Sequence, residues 1–135
     1  MIEVEKVRGY RNKNPMNIRD TLTIWKNEDL SNVDKSFEEF TCHSAGIRAG
    51  ARVLMNYERL YGLNTVTGII SRYAPSSENH TIEYIESVCN DLGVKPNTVI
   101  DVEGRILDLT KAVIKMELGS IPYSDDFINE SIWSN

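Results

Sequence analysis

The stretch Leu109-Thr-Lys-Ala-Val-Ile-Lys-Met-Glu117-Leu-Gly119 decides the fold expected for this chain. Together with Ile106, its apolar residues recur at steps of three and four, which is the spacing of one buried helix face. Gly119 is a typical helix stop, and Pro122 follows it three residues later. We therefore predict a helix within residues 104–126 whose last turn carries Glu117.

Glu117 would lie at the end of this helix where the helix dipole is negative, and a carboxylate is electrostatically disfavoured there. A general acid needs a carboxyl group that keeps its proton near neutral pH. The position therefore favours an acid catalyst. A solvated glutamate that the helix tolerates is the other interpretation of the same pattern.

The same periodicity predicts three further helices, at about residues 47–61, 65–73 and 82–92, and a final helical turn at residues 127–133. Two short segments, Thr21-Leu-Thr-Ile-Trp25 and Ser36-Phe-Glu-Glu-Phe-Thr41, are typical of strands. They predict a small antiparallel β-hairpin with a long loop. The expected fold is a single, mainly α (α+β) domain that spans residues 1–135.

Composition and cysteine usage exclude several classes of function. The net charge of −5 argues against a general nucleic-acid binder, whose affinity would rest on a basic surface. No apolar run is long enough for membrane insertion, and the first residues lack the apolar core of a signal peptide, so we expect synthesis in the cytoplasm. Cys42 and Cys89 have no metal-type spacing, and no Gly-rich phosphate loop is present. We therefore expect no metal and no cofactor.

Carboxylates and side-chain amides are better supplied than nucleophiles. Glycosidic cleavage needs an acid and, in most cases, a second carboxylate, and we assign Glu117 and Glu78 to these roles. Their separation would decide between a retaining and an inverting outcome, and a lytic-transglycosylase route needs only one of them. Amides and phenols suit sugar hydroxyls, which predicts that the glycan cleft is lined by Asn14, Asn17, Tyr73, Asn79 and Tyr123. The alternative for the asparagines is that they bond their own backbone.

Three blocks of the chain are distinctive: Arg8-Gly-Tyr-Arg-Asn-Lys-Asn-Pro-Met-Asn-Ile18, Arg72-Tyr-Ala-Pro-Ser-Ser-Glu-Asn-His-Thr81 and Glu117-Leu-Gly-Ser-Ile-Pro-Tyr123. In this order they resemble a set of small phage virion proteins that are known mostly as structural proteins. The chain departs from that pattern at Lys13, Met16 and Leu118, where such proteins more often carry Asn, Gly and Asn. These departures would weaken a sugar-binding loop.

A looser similarity is to the lysozyme-like superfamily, including lytic transglycosylases and glucosaminidases. In those proteins a helix ends in a catalytic Glu followed by a small residue, as in Met116-Glu117-Leu-Gly-Ser120. An Asn-containing β segment follows that helix, whereas here Asn14-Pro-Met-Asn-Ile18 precedes it. A circular permutation would reconcile the two orders. The similarity implies a lysozyme-like helical domain with Glu117 as the acid.

The resulting hypothesis is a phage-encoded muramidase or lytic transglycosylase that acts on peptidoglycan glycan strands during entry or lysis. It would be associated with the virion or delivered to the periplasm. The alternative is a non-catalytic virion protein that binds other virion proteins or glycan. A third possibility is a protein that binds a host enzyme, which would suit the acidic charge and small size.

Overall fold

The computed structural model describes residues 3–20, 24–31, 33–34, 36–74 and 77–135, with the backbone alone at positions 78 and 79. Within these residues the chain forms six α-helices and one short 3₁₀ turn. The helices are α1 (Arg8–Arg11), α2 (His43–Tyr61), α3 (Val66–Tyr73), α4 (Glu78–Leu92), α5 (Ile106–Leu118) and α6 (Asp125–Ile132), and the 3₁₀ turn is Val4–Lys6.

Helix α5 has the buried face that its apolar spacing predicts. Ile106, Leu109, Ala112 and Val113 are all buried in the main hydrophobic core. The helix ends at Gly119, whose φ of 82° lies in the left-handed region that glycine adopts without steric cost. The prediction of this helix and its end is confirmed.

The helices pack around one main core. Helix α2 packs against α5 and α6, and α4 packs against α3 and α5. Met16, from the segment before α2, is fully buried in the same core. This packing places the end of α5 beside α4 and the N-terminal segment. Among the described residues, no helix combines the length and apolar character that crossing a bilayer requires.

The predicted β-hairpin is wrong. The described residues of this region contain only two isolated antiparallel bridges, Arg19 with Phe37 and Glu28 with Phe40, and residues 21–23 of the predicted first strand lie outside the described part. Backbone groups of residues 36–41 bond to residues as far apart as Asn12 and residue 29, so they do not follow one partner strand. The mainly α part of the prediction is confirmed, and all named elements in the described ranges are helical.

Two helical segments also differ from the prediction. Residues 8–11 form α1, where the sequence predicted no helix. Helix α4 begins at residue 78 instead of 82, because the Ser77 side chain accepts a hydrogen bond from the His80 backbone N–H (3.3 Å) and caps the helix. Residues 78 and 79 are therefore in the first turn of α4 and not before the helix.

Candidate functional site

The carboxylate of Glu117 lies half-buried in the last turn of α5 and joins three segments of the chain. Its Oε1 accepts a hydrogen bond from Asn17 Nδ2 (2.9 Å), in the N-terminal segment. Its Oε2 accepts one from the hydroxyl of Tyr84 (2.8 Å), in α4. The group is therefore held in one orientation by two neutral donors. We call Asn17, Tyr73, Tyr84 and Glu117 the carboxylate site.

A buried and a partly buried tyrosine complete this site. Tyr84 is 1% exposed, and Tyr73, which is partly buried, donates a hydrogen bond from its hydroxyl to the carbonyl of Met16. Burial and the negative charge of Glu117 raise the pKa of both Tyr73 and Tyr84 above the ordinary value of a phenol. Both hydroxyls therefore keep their protons and act as donors at neutral pH.

The loop that carries Asn17 is fixed in place by close contact with α2. A Cβ atom on Gly46 would lie 2.0 Å from the carbonyl oxygen of Lys13, and one on Gly50 would lie 2.1 Å from Met16 Sδ. Only glycine at these two positions, one helical turn apart, lets the loop lie against the helix. Asn17 itself has a φ of 52°, a left-handed conformation that asparagine adopts more readily than most residues.

Asn14 holds this loop from inside. It is fully buried, and its Nδ2 donates to the carbonyls of Ile18 and Glu38 while its Oδ1 accepts from the Ile18 backbone N–H, all at 2.9 Å. Both ends of the Asn14 amide are therefore hydrogen-bonded to the backbone, and in this conformation the side chain does not contact a ligand in a cleft. Its effect on the site is to position Asn17, three residues later.

Tyr123 lies in a separate group of rings formed by Tyr10, His43, Tyr123 and Phe127. The hydroxyl of Tyr123 and Nδ1 of His43 are hydrogen-bonded (2.8 Å), and the rings of Tyr123 and Phe127 are stacked with centroids 5.7 Å apart. Burial and the nearby Lys13 lower the pKa of His43, whereas burial and Tyr10 raise the pKa of Tyr123. This group therefore presents neutral aromatic rings at neutral pH.

The two remaining predicted site residues, Glu78 and Asn79, have side chains outside the described part of the structure. The pairing of the Glu78 and Glu117 carboxyl groups therefore stays a prediction. His80, one turn before Tyr84 on α4, packs edge-on against the Tyr84 ring with centroids 6.1 Å apart. Among the described residues, no group of three or more potential metal ligands comes together.

Comparison with known proteins adds a family to this geometry. The chain is 43% identical over 129 residues to protein P5 of Pseudoalteromonas phage PM2, and the match covers 93% of this chain and 80% of that protein. The chain belongs to the family of this phage protein. No protein-family model matches it. Membership of this family supports the expectation that the chain is a phage protein. The match shows no similarity to lysozymes or lytic transglycosylases.

Sequence reasoning on this P5-family chain missed Tyr84. The helix predicted at residues 82–92 begins with the apolar Ile82, but Ile82 is 46% exposed. The observed buried face is Tyr84, Ile85, Val88, Cys89 and Leu92. Tyr84 lies four residues before Val88, so helical spacing places it on this face and indicates a buried phenol, which usually has a hydrogen-bond partner.

Proposed function

We propose that this chain is a virion protein that binds peptidoglycan glycan strands at the carboxylate site. One observation carries the proposal: the half-buried carboxylate of Glu117 accepts hydrogen bonds from a side-chain amide and a phenol, and the phenol of Tyr73 is near enough for the charge of Glu117 to raise its pKa. Each oxygen of an ionised carboxylate has two lone pairs, so Glu117 can accept hydrogen bonds from sugar hydroxyls beside those from Asn17 and Tyr84. Such a set of groups suits a ligand that is rich in hydroxyl and N-acetyl groups.

The similarity of the chain to a phage protein is consistent with a peptidoglycan ligand. A phage particle meets the peptidoglycan layer of its host during DNA entry, so a glycan-binding protein has a use on the virion. The fixed loop also supports binding, because a site that is already ordered loses less conformational entropy when a ligand arrives. Gly46, Gly50 and Asn14 supply that order.

Binding is favoured over cleavage by the hydrogen bonds of Glu117. A general acid must present a protonated oxygen to the glycosidic oxygen of the substrate. Both oxygens of Glu117 instead accept hydrogen bonds from within the chain, from Asn17 and from Tyr84. One of these contacts would have to open before Glu117 could transfer a proton.

A sedimentation assay with purified Gram-negative peptidoglycan sacculi tests the proposal. The wild-type chain should sediment with the sacculi, and Glu117→Gln should weaken binding about tenfold, which corresponds to the loss of one charged hydrogen bond. Glu130→Gln, the same substitution on an exposed position of α6, is the matched control and should bind like the wild type. A wild-type chain that stays in the supernatant would refute glycan binding and leave a structural role in the virion.

Cleavage of the glycan by Glu117 is the second candidate. It is favoured by the fact that Glu117 is half-buried yet has no cationic partner within the described residues, since structural carboxylates at such positions are commonly paired with a cation. The same sacculi provide the test, through chromatography of the soluble fraction. Release of muropeptides by the wild type but not by Glu117→Gln would establish the enzyme, and new reducing ends or anhydro ends would identify the reaction. Binding without release would exclude it.

A further inference from the structure

A second cleft, of about 550 Å³, lies between α2 and the C-terminal residues. Three arginines of α2 line it, Arg48, Arg52 and Arg59, together with the indole rings of Trp25 and Trp133. Arginine and tryptophan are the residues that contribute most often to the energetic centre of protein interfaces. We call this the arginine–tryptophan cleft.

The cleft is separate from the carboxylate site. Residues of an α-helix that are two positions apart point roughly 200° away from each other around the axis. Arg48 and Arg52 each follow by two residues the glycines Gly46 and Gly50, which contact the loop of Asn17. The arginines therefore face away from that loop, and helix α2 lies between the two sites.

Two hydrogen-bond donors of this cleft lack an acceptor. Trp25 Nε1 and Arg52 Nε are both shielded from solvent and have no partner in the described part of the chain. The neighbouring arginines differ, because Arg48 Nε donates to the carbonyl of Ser134 (3.2 Å) and Arg59 donates to the side chain of Asn56 (2.6 Å). Buried N–H groups in proteins are nearly always paired, so these two donors are available to an acceptor that a ligand brings.

The charged residues of the arginine–tryptophan cleft indicate which chemical group the ligand carries. Three guanidinium groups favour an anionic acceptor, and the arginine fork matches a carboxylate or a phosphate. Glu58 and Glu103 line the same cleft, so its three arginines leave a formal charge of only +1, which matches one carboxylate but not the many closely spaced phosphates of a nucleic acid. A single carboxylate between apolar neighbours fits better, because the two indoles offer apolar surface on its flanks.

We propose that the arginine–tryptophan cleft binds an acidic peptide segment of a partner protein, with one carboxylate held by Arg52 and Trp25 and flanking apolar side chains on the indole rings. The segment enters by a small rotation of the Arg52 and Trp25 side chains, which turns their shielded N–H groups toward the carboxylate. This site does not depend on the proposed glycan binding.

The two tryptophans make the cleft observable by fluorescence. They are the only tryptophans of the chain, and both line the cleft, so intrinsic fluorescence reports on this site. The probe is the N-acetylated, amidated tripeptide Leu-Glu-Leu, titrated into the purified chain. Its matched control is the Leu-Gln-Leu tripeptide, which has nearly the same shape and no charge. Inorganic phosphate and single-stranded oligothymidylate complete the series.

The acidic tripeptide should give a saturable fluorescence change, and the Gln tripeptide should bind at least tenfold more weakly. Equal binding of the two tripeptides would overturn the role of the carboxylate. Tighter binding of phosphate or oligothymidylate would overturn the assignment to a peptide. A fluorescence signal that does not change up to the solubility limit of the acidic tripeptide would overturn the site itself.

Two substitutions test the residues involved. Arg52→Gln should weaken binding of the acidic tripeptide at least tenfold, whereas Arg52→Lys, which keeps the charge but not the fork, should restore part of it. Arg11→Gln, at an exposed position outside the cleft, should bind like the wild type. Urea unfolding of each variant shows whether it is folded, and sedimentation with sacculi should be unchanged in Arg52→Gln. An Arg52→Gln chain that is folded and binds the tripeptide normally contradicts the proposal.

Discussion

Residues 43–135 and residues 3–42 are held in place by different kinds of contact. The first region is a set of helices around an apolar core, with whole faces of α2 to α6 buried. The second has one 3₁₀ turn, the four-residue helix α1 and two isolated bridges among its described residues. It adds Met16 to the main core and Ile18 and Phe40 to a smaller apolar cluster. Individual polar contacts hold the rest, such as the buried amide of Asn14 and the bidentate pair of Arg8 and Asp34.

The difference matters because the carboxylate site lies where the two regions meet. Glu117 and Tyr84 come from the helices, and Asn17 comes from the N-terminal region, 100 residues before Glu117 in sequence. An apolar core tolerates changes of shape if volume is kept, whereas a polar contact depends on one donor and one acceptor. Changes in the N-terminal region should therefore affect the site more than similar changes in the helices.

The largest effect is expected where the two regions touch at Gly46. In Gly46→Ala the new Cβ atom would lie 2.0 Å from the Lys13 carbonyl oxygen, so one backbone must move. We expect the free energy of unfolding, measured with urea, to fall by about 3 kcal/mol. Gly68→Ala, in the first turn of α3, is the control, because its nearest atom would be 3.3 Å away and alanine favours a helix. Equal losses in the two variants would show that the loop contact has no special importance.

A smaller loss is expected at Asn14. Asn14→Ala leaves the Ile18 N–H and the Glu38 carbonyl without the buried amide that they bond in the wild type. We expect the free energy of unfolding to fall by about 2 kcal/mol. Asn129→Ala, at an exposed position of α6, should cost much less. If both variants unfold at the same urea concentration as the wild type, individual polar contacts do not hold the N-terminal region.

The same comparison explains which parts of the fold could be predicted from sequence. In the helical region, apolar spacing and the glycines Gly62, Gly93 and Gly119 located α2 to α5 and the ends of three of them, because helix period and left-handed caps are local properties. In the N-terminal region, residues 36–41 were predicted to form a strand. A short segment of this kind carries no information about its partners, and the backbone there bonds to several dispersed residues.

Some features of the carboxylate site could likewise be predicted from sequence, and others could not. The position of Glu117 in a last helical turn follows from Gly119, two residues later, and was predictable. Its hydrogen bonds are not, since they join Asn17 and Tyr84 to it across long stretches of chain. Asn14 and Asn17 share the same residue type and the same loop, yet one is buried and the other bonds Glu117, and only the folded backbone distinguishes them.

The smallest effect is expected for the pH dependence of stability in the N-terminal region. The Arg8 guanidinium (2.6 Å to each oxygen) and the Asn12 amide (2.9 Å) hold the pKa of Asp34 well below its usual range. A carboxyl group whose pKa is depressed on folding adds stability at pH values above its unfolded pKa, about 3.9, and loses it as the pH falls further. The difference in unfolding free energy between the wild type and Asp34→Asn should therefore shrink below about pH 4.

The size of this effect is limited because the Arg8 side chain is half exposed, at 49%, and water and salt weaken its attraction to Asp34. The difference between the wild type and Asp34→Asn should accordingly also shrink when salt is added at neutral pH. Arg8→Gln, which removes the strongest partner of Asp34, should show the same weakened dependence on pH. A difference that stays constant between about pH 6 and about pH 3 would mean that Asp34 fixes this region through the shape of its hydrogen bonds to Ser36 and Phe37, and not through its charge.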